Sequence, residues 1–186
     1  MKAIDILVDE HDYILKMISI AEEILQTDDY LTVDINHVES IVDFVKNFAD
    51  KCHHLKEEDI LFMEMEKSGM SREDGPIAVM LNEHNEGRVF IKQAQTGIEL
   101  FKQGYISSFL QIQENLLNYC QLLTQHIGKE NNILYPMAER ILPVNVGQDM
   151  TTQFEHINVS TPQNEYHDKY IKMVEELGEI YLEKAP

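Results

Sequence analysis

Little in this chain interrupts a helix. Its 186 residues include only 8 glycines and 5 prolines, which leaves room for long uninterrupted segments. There are two cysteines, Cys52 and Cys120, too few for a disulfide framework. Basic residues are also scarce. Fifteen Lys and Arg against 33 Asp and Glu give a net charge of −18. Nucleic-acid binding needs clustered cations against phosphate and is excluded on that balance. An anionic membrane surface is disfavoured for the same reason. No apolar run approaches the roughly 20 residues of a bilayer span. The opening Met1-Lys2-Ala3-Ile4-Asp5 has no apolar stretch of a signal peptide, so a cytoplasmic protein is expected. With 44% hydrophobic residues the chain should fold as a globule with an acidic, well-hydrated surface.

What the chain does have is a repeated motif. His53-His54-Leu55-Lys56-Glu57-Glu58-Asp59-Ile60-Leu61-Phe62 returns as His126-Ile127-Gly128-Lys129-Glu130-Asn131-Asn132-Ile133-Leu134-Tyr135, offset by 73 residues. The same offset aligns Glu10-His11-Asp12 with Glu83-His84-Asn85. The order is therefore His11, then His53 and Glu57, then His84, then His126 and Glu130. On a helix, His and Glu four apart share a face on adjacent turns and make half of a metal site. His54 and Glu58 have the same spacing, rotated by about 100°. The repeat decides between the two pairs. Lys56, Ile60 and Leu61 match Lys129, Ile133 and Leu134 only when His53 matches His126, which aligns His54 with Ile127. His53 and Glu57 are assigned to the site, His54 and Glu58 to its border.

The apolar periodicity predicts four long helices. The first covers about Ala3 to Gln26, with His11 inside the stripe Ile4, Leu7, Ile14 and Ile18. Thr27-Asp28-Asp29-Tyr30 is a polar break. The second starts near Thr32 or Asp34, either able to cap it, and runs to about Lys67 before Gly69. Ser71-Arg72-Glu73-Asp74 resembles a capping box for the third, about Pro76 to Lys102, stopped by Gly104. Within it, Gly87 either leaves space beside a metal or lets two helices approach closely. The fourth runs from about Ser107 to Glu139, where Pro136 should kink or interrupt it. Tyr119, two turns before His126, reads as a core tyrosine with a bonded hydroxyl, with contact to the metal pocket as the alternative. Residues 1–142 are expected to form one duplicated domain. Residues 143–186 form a helical extension packed on the bundle or on a partner, its final helix opened by Pro162 and striped by Tyr170, Val174, Leu177 and Tyr181. His37, His156 and His167 fall outside the pattern and read as surface or structural. Cys52 and Cys120 read as helix-packing thiols.

The fold expected is all-α: an antiparallel four-helix bundle with an additional C-terminal helix. Each ligand face is also its helix's apolar face, so six side chains point into one core. A single histidine on such a face is ordinary. Four with two carboxylates are not, because two unpaired buried carboxylates cost several kcal/mol each. Six donors would saturate one ion. Shared between two, they give each ion two imidazoles, with Glu57 and Glu130 bridging. Mixed imidazole and carboxylate ligation suits iron or manganese.

These motifs resemble the hemerythrin-like (HHE cation-binding) family over about Met1 to Leu142. The resemblance rests on the four-helix ligand order, on Cys52 to Phe62, and on His126 to Glu130 with Leu134-Tyr135-Pro136. It implies two iron ions, oxo- or hydroxo-bridged, with manganese or a mixed pair as the alternative. The metal ligands implied are His11, His53, Glu57, His84, His126 and Glu130. Members meet a small diatomic ligand or peroxide, handle iron, or sense it. Oxygen carriers of the family have a second histidine four residues after the third-helix one, where this chain has Arg88. They also close the last motif with Asp five residues after its histidine, where Glu130 is four after His126. Both differences argue against simple reversible oxygen carriage. The four-His, two-Glu set is similar to di-iron proteins of iron–sulfur cluster repair, which usually carry an N-terminal vicinal cysteine pair that is missing here. The leading expectation is a protein whose metal pair meets dioxygen, nitric oxide or peroxide in sensing, scavenging or oxidative-stress defence. The alternative is non-catalytic iron storage or donation to an iron-accepting protein, and a homodimer is compatible with either. The residues define a site and not a reaction.

Overall fold

A computed structural model describes residues 1–27, 29–159 and 163–183. There is no strand among the described residues. These described residues form six helices: α1 (Lys2–Leu25), α2 (residues 35–67), α3 (Gly75–Lys102), α4 (residues 108–141), α5 (Val144–Val159) and α6 (Gln163–Tyr181). The first four form the bundle. α3 packs on α4 along its length, α4 on α1, and α2 on both α1 and α3. Short links between consecutive helices set the up-and-down order.

The breaks follow local chemistry. Asp34 caps α2 by accepting from the Asn36 N–H. Gly69 and Gly104, at φ 100° and 97°, end α2 and α3 in a left-handed conformation that side chains disfavour. The capping box expected at Ser71 is not formed. The Ser71 hydroxyl accepts from Glu73 and Asp74 N–H instead, and Asp74 precedes the helix without a side-chain cap. Asp28 and Pro162 lie outside the described residues.

Both α2 and α4 contain π-helical turns, in which i→i+5 hydrogen bonds widen the helix. Glu57–Leu61 and Glu130–Leu134 are such turns, and they are 73 residues apart like the ligand motifs. The second lies just ahead of Pro136. Pro136 donates no N–H, and α4 passes it without ending, going on through Tyr135–Ile141. A further widened stretch, Val45–His54, has no counterpart in α4. Smaller rotation between successive residues there lets neighbouring side chains turn to one side, and His53 and His54 are both buried.

The core is split in two. One apolar cluster gathers Ile14, Ile41, Phe48, Ile91, Ile112, Leu116 and their neighbours. The other gathers Leu7, Leu61, Phe62, Met80, Leu134 and Tyr135. The four motif histidines lie in sequence between members of the two clusters. α5 was not anticipated; Met150 and Phe154 are fully buried in the second cluster, against α1 and the Glu57–Leu61 turn. α6 covers α1 and α2 with Tyr170, Val174 and Leu177, and Tyr170 donates to Asp43.

Gly97 marks the tightest approach of α3 and α4. A Cβ there would stand 2.8 Å from Ile112 Cγ1 and 3.4 Å from the Ile112 and Ser108 backbones. Gly97→Val should therefore lower stability by about 2 kcal/mol, the cost of overpacking a fixed crossing. Urea unfolding followed by circular dichroism measures it; an unchanged midpoint would refute the rigid crossing.

Candidate metal centre

All six motif residues, His11, His53, Glu57, His84, His126 and Glu130, converge at the level between the two apolar clusters. Each is at most 2% exposed. Glu130 Oε2 is 3.2 Å from His11 Nε2, and its Oε1 is 3.0 Å from His126 Nε2. Glu57 Oε2 lies 3.6 Å from His53 Nε2 and 3.5 Å from His84 Nε2. The His84 and His126 Nε2 atoms are 3.0 Å apart. The imidazoles pair by ring position, His11 with His53 at 4.6 Å between centroids and His84 with His126 at 4.7 Å.

The outer faces of these rings explain their inner chemistry. His53 Nδ1 meets Glu10 at 3.0 Å, and His126 Nδ1 meets Glu83 at 2.9 Å. His84 Nδ1 meets Glu58 at 2.6 Å, and His11 Nδ1 meets the Asn131 Oδ1 at 2.8 Å. Each outer partner is an acceptor, so each Nδ1 carries the proton and donates. Wherever the ring is neutral, a bare Nε2 lone pair then faces inward. These lone pairs face carboxylate oxygens and one another: acceptors against acceptors. His53 Nε2, Glu57 Oε2 and both Glu130 oxygens are buried with no hydrogen-bond partner among the described residues. Native cores rarely tolerate such groups. A cation is the species that satisfies them together, and the donor set fits one.

Glu10 and Glu83 are held in turn. Lys56 donates to Glu10, and Lys129 to Glu83. Lys, Glu and His thus form the same chain in each repeat, 73 residues apart. Sequence reasoning aligned Glu10 with Glu83 and Lys56 with Lys129 but assigned none of them a role. Glu58 and Asn131 also align, each supporting the histidine of the other repeat.

Two differences between the repeats bear directly on the ligands. Tyr135 aligns with Phe62. Both stack on a motif histidine, Tyr135 on His11 and Phe62 on His84. Only Tyr135 has a hydroxyl, which donates to Glu57 Oε1 at 2.8 Å. One oxygen of Glu57 is therefore taken, while Glu130 keeps both. The second difference is His54, where the other repeat has Ile127. Its ring stacks on His84 at 3.8 Å, and its Nδ1 is 3.4 Å from Asp50. Among the described residues, ligand atoms of His54, Glu57, His84 and His126 gather within 4.8 Å of one another, as do those of His11, His53 and Glu130.

The electrostatics match neutral ligands at most positions. Burial, then the neighbouring His11, pushes His53 down to about 4. Burial also lowers His54 and His84. At His126 burial is outweighed by Glu130 and Glu83, which lift it to about 9. Burial and the charge of Glu130 raise Glu57 well above the usual carboxylate range. For Glu130 burial is overcome by His126 and His11, which hold it well below that range.

Other expectations resolve plainly. His37 bonds Tyr181, and His167 packs on Phe48; neither joins the centre. Cys52 and Cys120 are buried free thiols, and burial raises both. Gly87 faces α4: a Cβ would lie 3.3 Å from the Tyr119 ring and 3.9 Å from Leu122. The bonded hydroxyl expected of Tyr119 is not found. It is buried with no hydrogen-bond partner among the described residues.

A family model for the hemerythrin HHE cation-binding domain matches residues 2–138, and the chain belongs to that family. No curated protein and no solved structure matches it. The domain is a cation-binding one, and the buried His and Glu clusters are groups that could hold a metal ion. No helix among the described residues is long and apolar enough to cross a membrane.

Asp50 ties the site's border together, accepting from Arg88 Nε at 2.8 Å beside His54. Burial opposes its charge, but the His54 and Arg88 contacts prevail and hold it at about 2, below its ordinary 3.8. A lowered carboxylate stabilises the fold above its unfolded value, and that contribution disappears as pH falls through the folded value. Asp50→Asn should cost about 1 kcal/mol at pH 7, after allowance for screening of a half-buried group. The deficit should shrink between pH 4 and pH 2, read by urea unfolding as a function of pH; a pH-independent deficit would contradict it.

Proposed function

We propose that this chain is a non-haem di-iron protein whose metal pair meets dioxygen, nitric oxide or peroxide. The observation that carries the reading is the set of buried acceptors without donors, His53 Nε2, Glu57 Oε2 and both Glu130 oxygens, gathered with the Nε2 atoms of His11, His84 and His126 at one level of a closed core. His11 and His53 would hold one ion, His84 and His126 the other, with Glu57 and Glu130 between them. Manganese in one or both positions is compatible with the same donors. Bound iron supplies one-electron redox chemistry and open coordination positions, since four protein donors per ion leave an octahedron unfilled.

The protein's own part is to orient and to exclude. Glu10, Glu83, Glu58 and Asn131 fix the imidazole tautomers. Met150 and Phe154 of α5 are buried over α1 and the Glu57–Leu61 turn, which closes that side to water. On the opposite side, a groove between α2, α3 and α4 leads to His54 and His84. Full burial of every donor favours resident metal over iron passed to a partner.

Metal content and the visible spectrum, before and after air reaches anaerobically purified protein, test the reading. About two irons per chain, with new visible absorption in air or on adding nitric oxide or peroxide, is the expected result. A colourless protein with one zinc would sink it. Glu10→Gln and Glu83→Gln should each weaken metal retention about 10- to 100-fold against a chelator, by loosening the ring they orient; retention equal to wild type would mean that the outer shell does not matter.

The Tyr135 hydroxyl makes the two halves of the centre unequal. In Tyr135→Phe, Glu57 recovers its second oxygen and the two irons should become more alike. Mössbauer spectra of iron-57 protein should then show two quadrupole doublets drawn closer together. Unchanged doublets would assign the hydroxyl to packing alone.

A further inference from the structure

The groove beside the centre is larger than a diatomic ligand or peroxide requires. Its volume is about 220 Å³, against roughly 30 Å³ for one water molecule in the liquid. It follows α3 from Glu83 to Gln95, a rise of about 18 Å. Its two ends differ. At the inner end the ring of His54 lies on that of His84. At the outer end stand Lys46 and Lys92. Between them the walls join apolar Val45, Ile91 and Leu123 to the ion-paired Asp50 and Arg88, and Gly87 adds no side chain.

Two groups here have no use in the centre. Lys46 bonds only the neutral Gln95, and Lys92 makes no ion pair among the described residues. Both ammonium groups stand at the groove without a carboxylate partner among the described residues and are available to an anionic ligand. The other cation of the groove, Arg88, is committed to Asp50 and Glu58. The second is Tyr119, which lines the groove midway. Its phenol is 4% exposed, and the hydroxyl lacks a partner among the described residues. A buried hydroxyl left without an acceptor is costly, and a ligand acceptor would remove that cost.

We propose that the groove binds a small organic acid with an apolar body that carries a hydrogen-bond acceptor. The carboxylate sits at Lys46 and Lys92. The body lies against Val45, Ile91 and Leu123, and the acceptor receives a hydrogen bond from the Tyr119 hydroxyl. The far end of the molecule rests against His54, beside the centre. This goes beyond the metal reading and does not need it, because Lys46, Lys92 and Tyr119 hold no metal in that reading.

Calorimetric titration of the full chain at measured metal content tests it with three probes: 6-oxoheptanoate, heptanoate and the neutral 2-heptanone. 6-Oxoheptanoate should bind saturably and about tenfold or more tighter than either of the others, the equivalent of one useful polar contact. Lys92→Glu should weaken both acids about tenfold and leave the ketone unchanged. Tyr119→Phe, which keeps the ring and removes the orphan hydroxyl, should abolish the preference for the oxo acid over heptanoate. No saturable binding of either acid, ketone binding as tight as acid binding, or an oxo-acid preference that survives Tyr119→Phe would each overturn the proposal. Metal-free chain that binds the oxo acid would count against the di-iron reading alone. Di-iron chain that ignores all three probes would count against the groove alone.

Discussion

The structure depends on one buried layer of acceptors. Four Nε2 lone pairs and two carboxylates occupy the middle of a helical core, with an apolar cluster on either side. Left to itself such a layer costs several kcal/mol per charge. Its geometry is nonetheless over-determined. Every imidazole is pinned from behind by an acceptor, and two of those acceptors are pinned by lysines. A core spends polar groups in this way when something positive is to be held at a defined place. The cation-binding family to which the chain belongs accounts for it.

The duplication makes this layer nearly two-fold, and its exceptions give the centre a direction. Tyr135 in place of a second Phe62 engages one oxygen of Glu57. His54 in place of a second Ile127 adds an imidazole against His84. α5 and α6 lie on α1 and α2, with no equivalent over α3 and α4 among the described residues. One side of the layer is therefore closed by apolar side chains. The other opens into a groove whose outer end is cationic in an otherwise acidic protein.

Much of this was legible beforehand because repetition is a strong signal. The 73-residue offset picked out six inward groups, while His54, set at the border by the same offset, comes within 4.8 Å of ligand atoms of Glu57, His84 and His126. The supporting shell was visible through the same offset, at Glu10 and Glu83, Lys56 and Lys129, and Glu58 and Asn131. It went unread because those pairs lie on different helices, and no local spacing says which ring a distant carboxylate will meet. α5 escaped for another reason. Its buried positions, Gly147, Met150, Thr151 and Phe154, keep helical spacing, but glycine and threonine at two of the four carry little apolar signal. The widened turns were invisible, since an extra residue per turn depends on packing and not on propensity.

The sequence by itself determined that the chain is helical, that it repeats, and which side chains share each helix's inner face. Those properties follow from spacing along one segment, where 3.6 residues per turn fixes direction. Only the tertiary structure decided that Glu130 offers both oxygens while Glu57 offers one, and that His54 stacks beside the centre despite its rotated position. The same holds for the Tyr119 hydroxyl, which faces no partner, and for the groove that remains open. Each depends on contacts between helices far apart in the chain, and on helix widening that local periodicity does not encode.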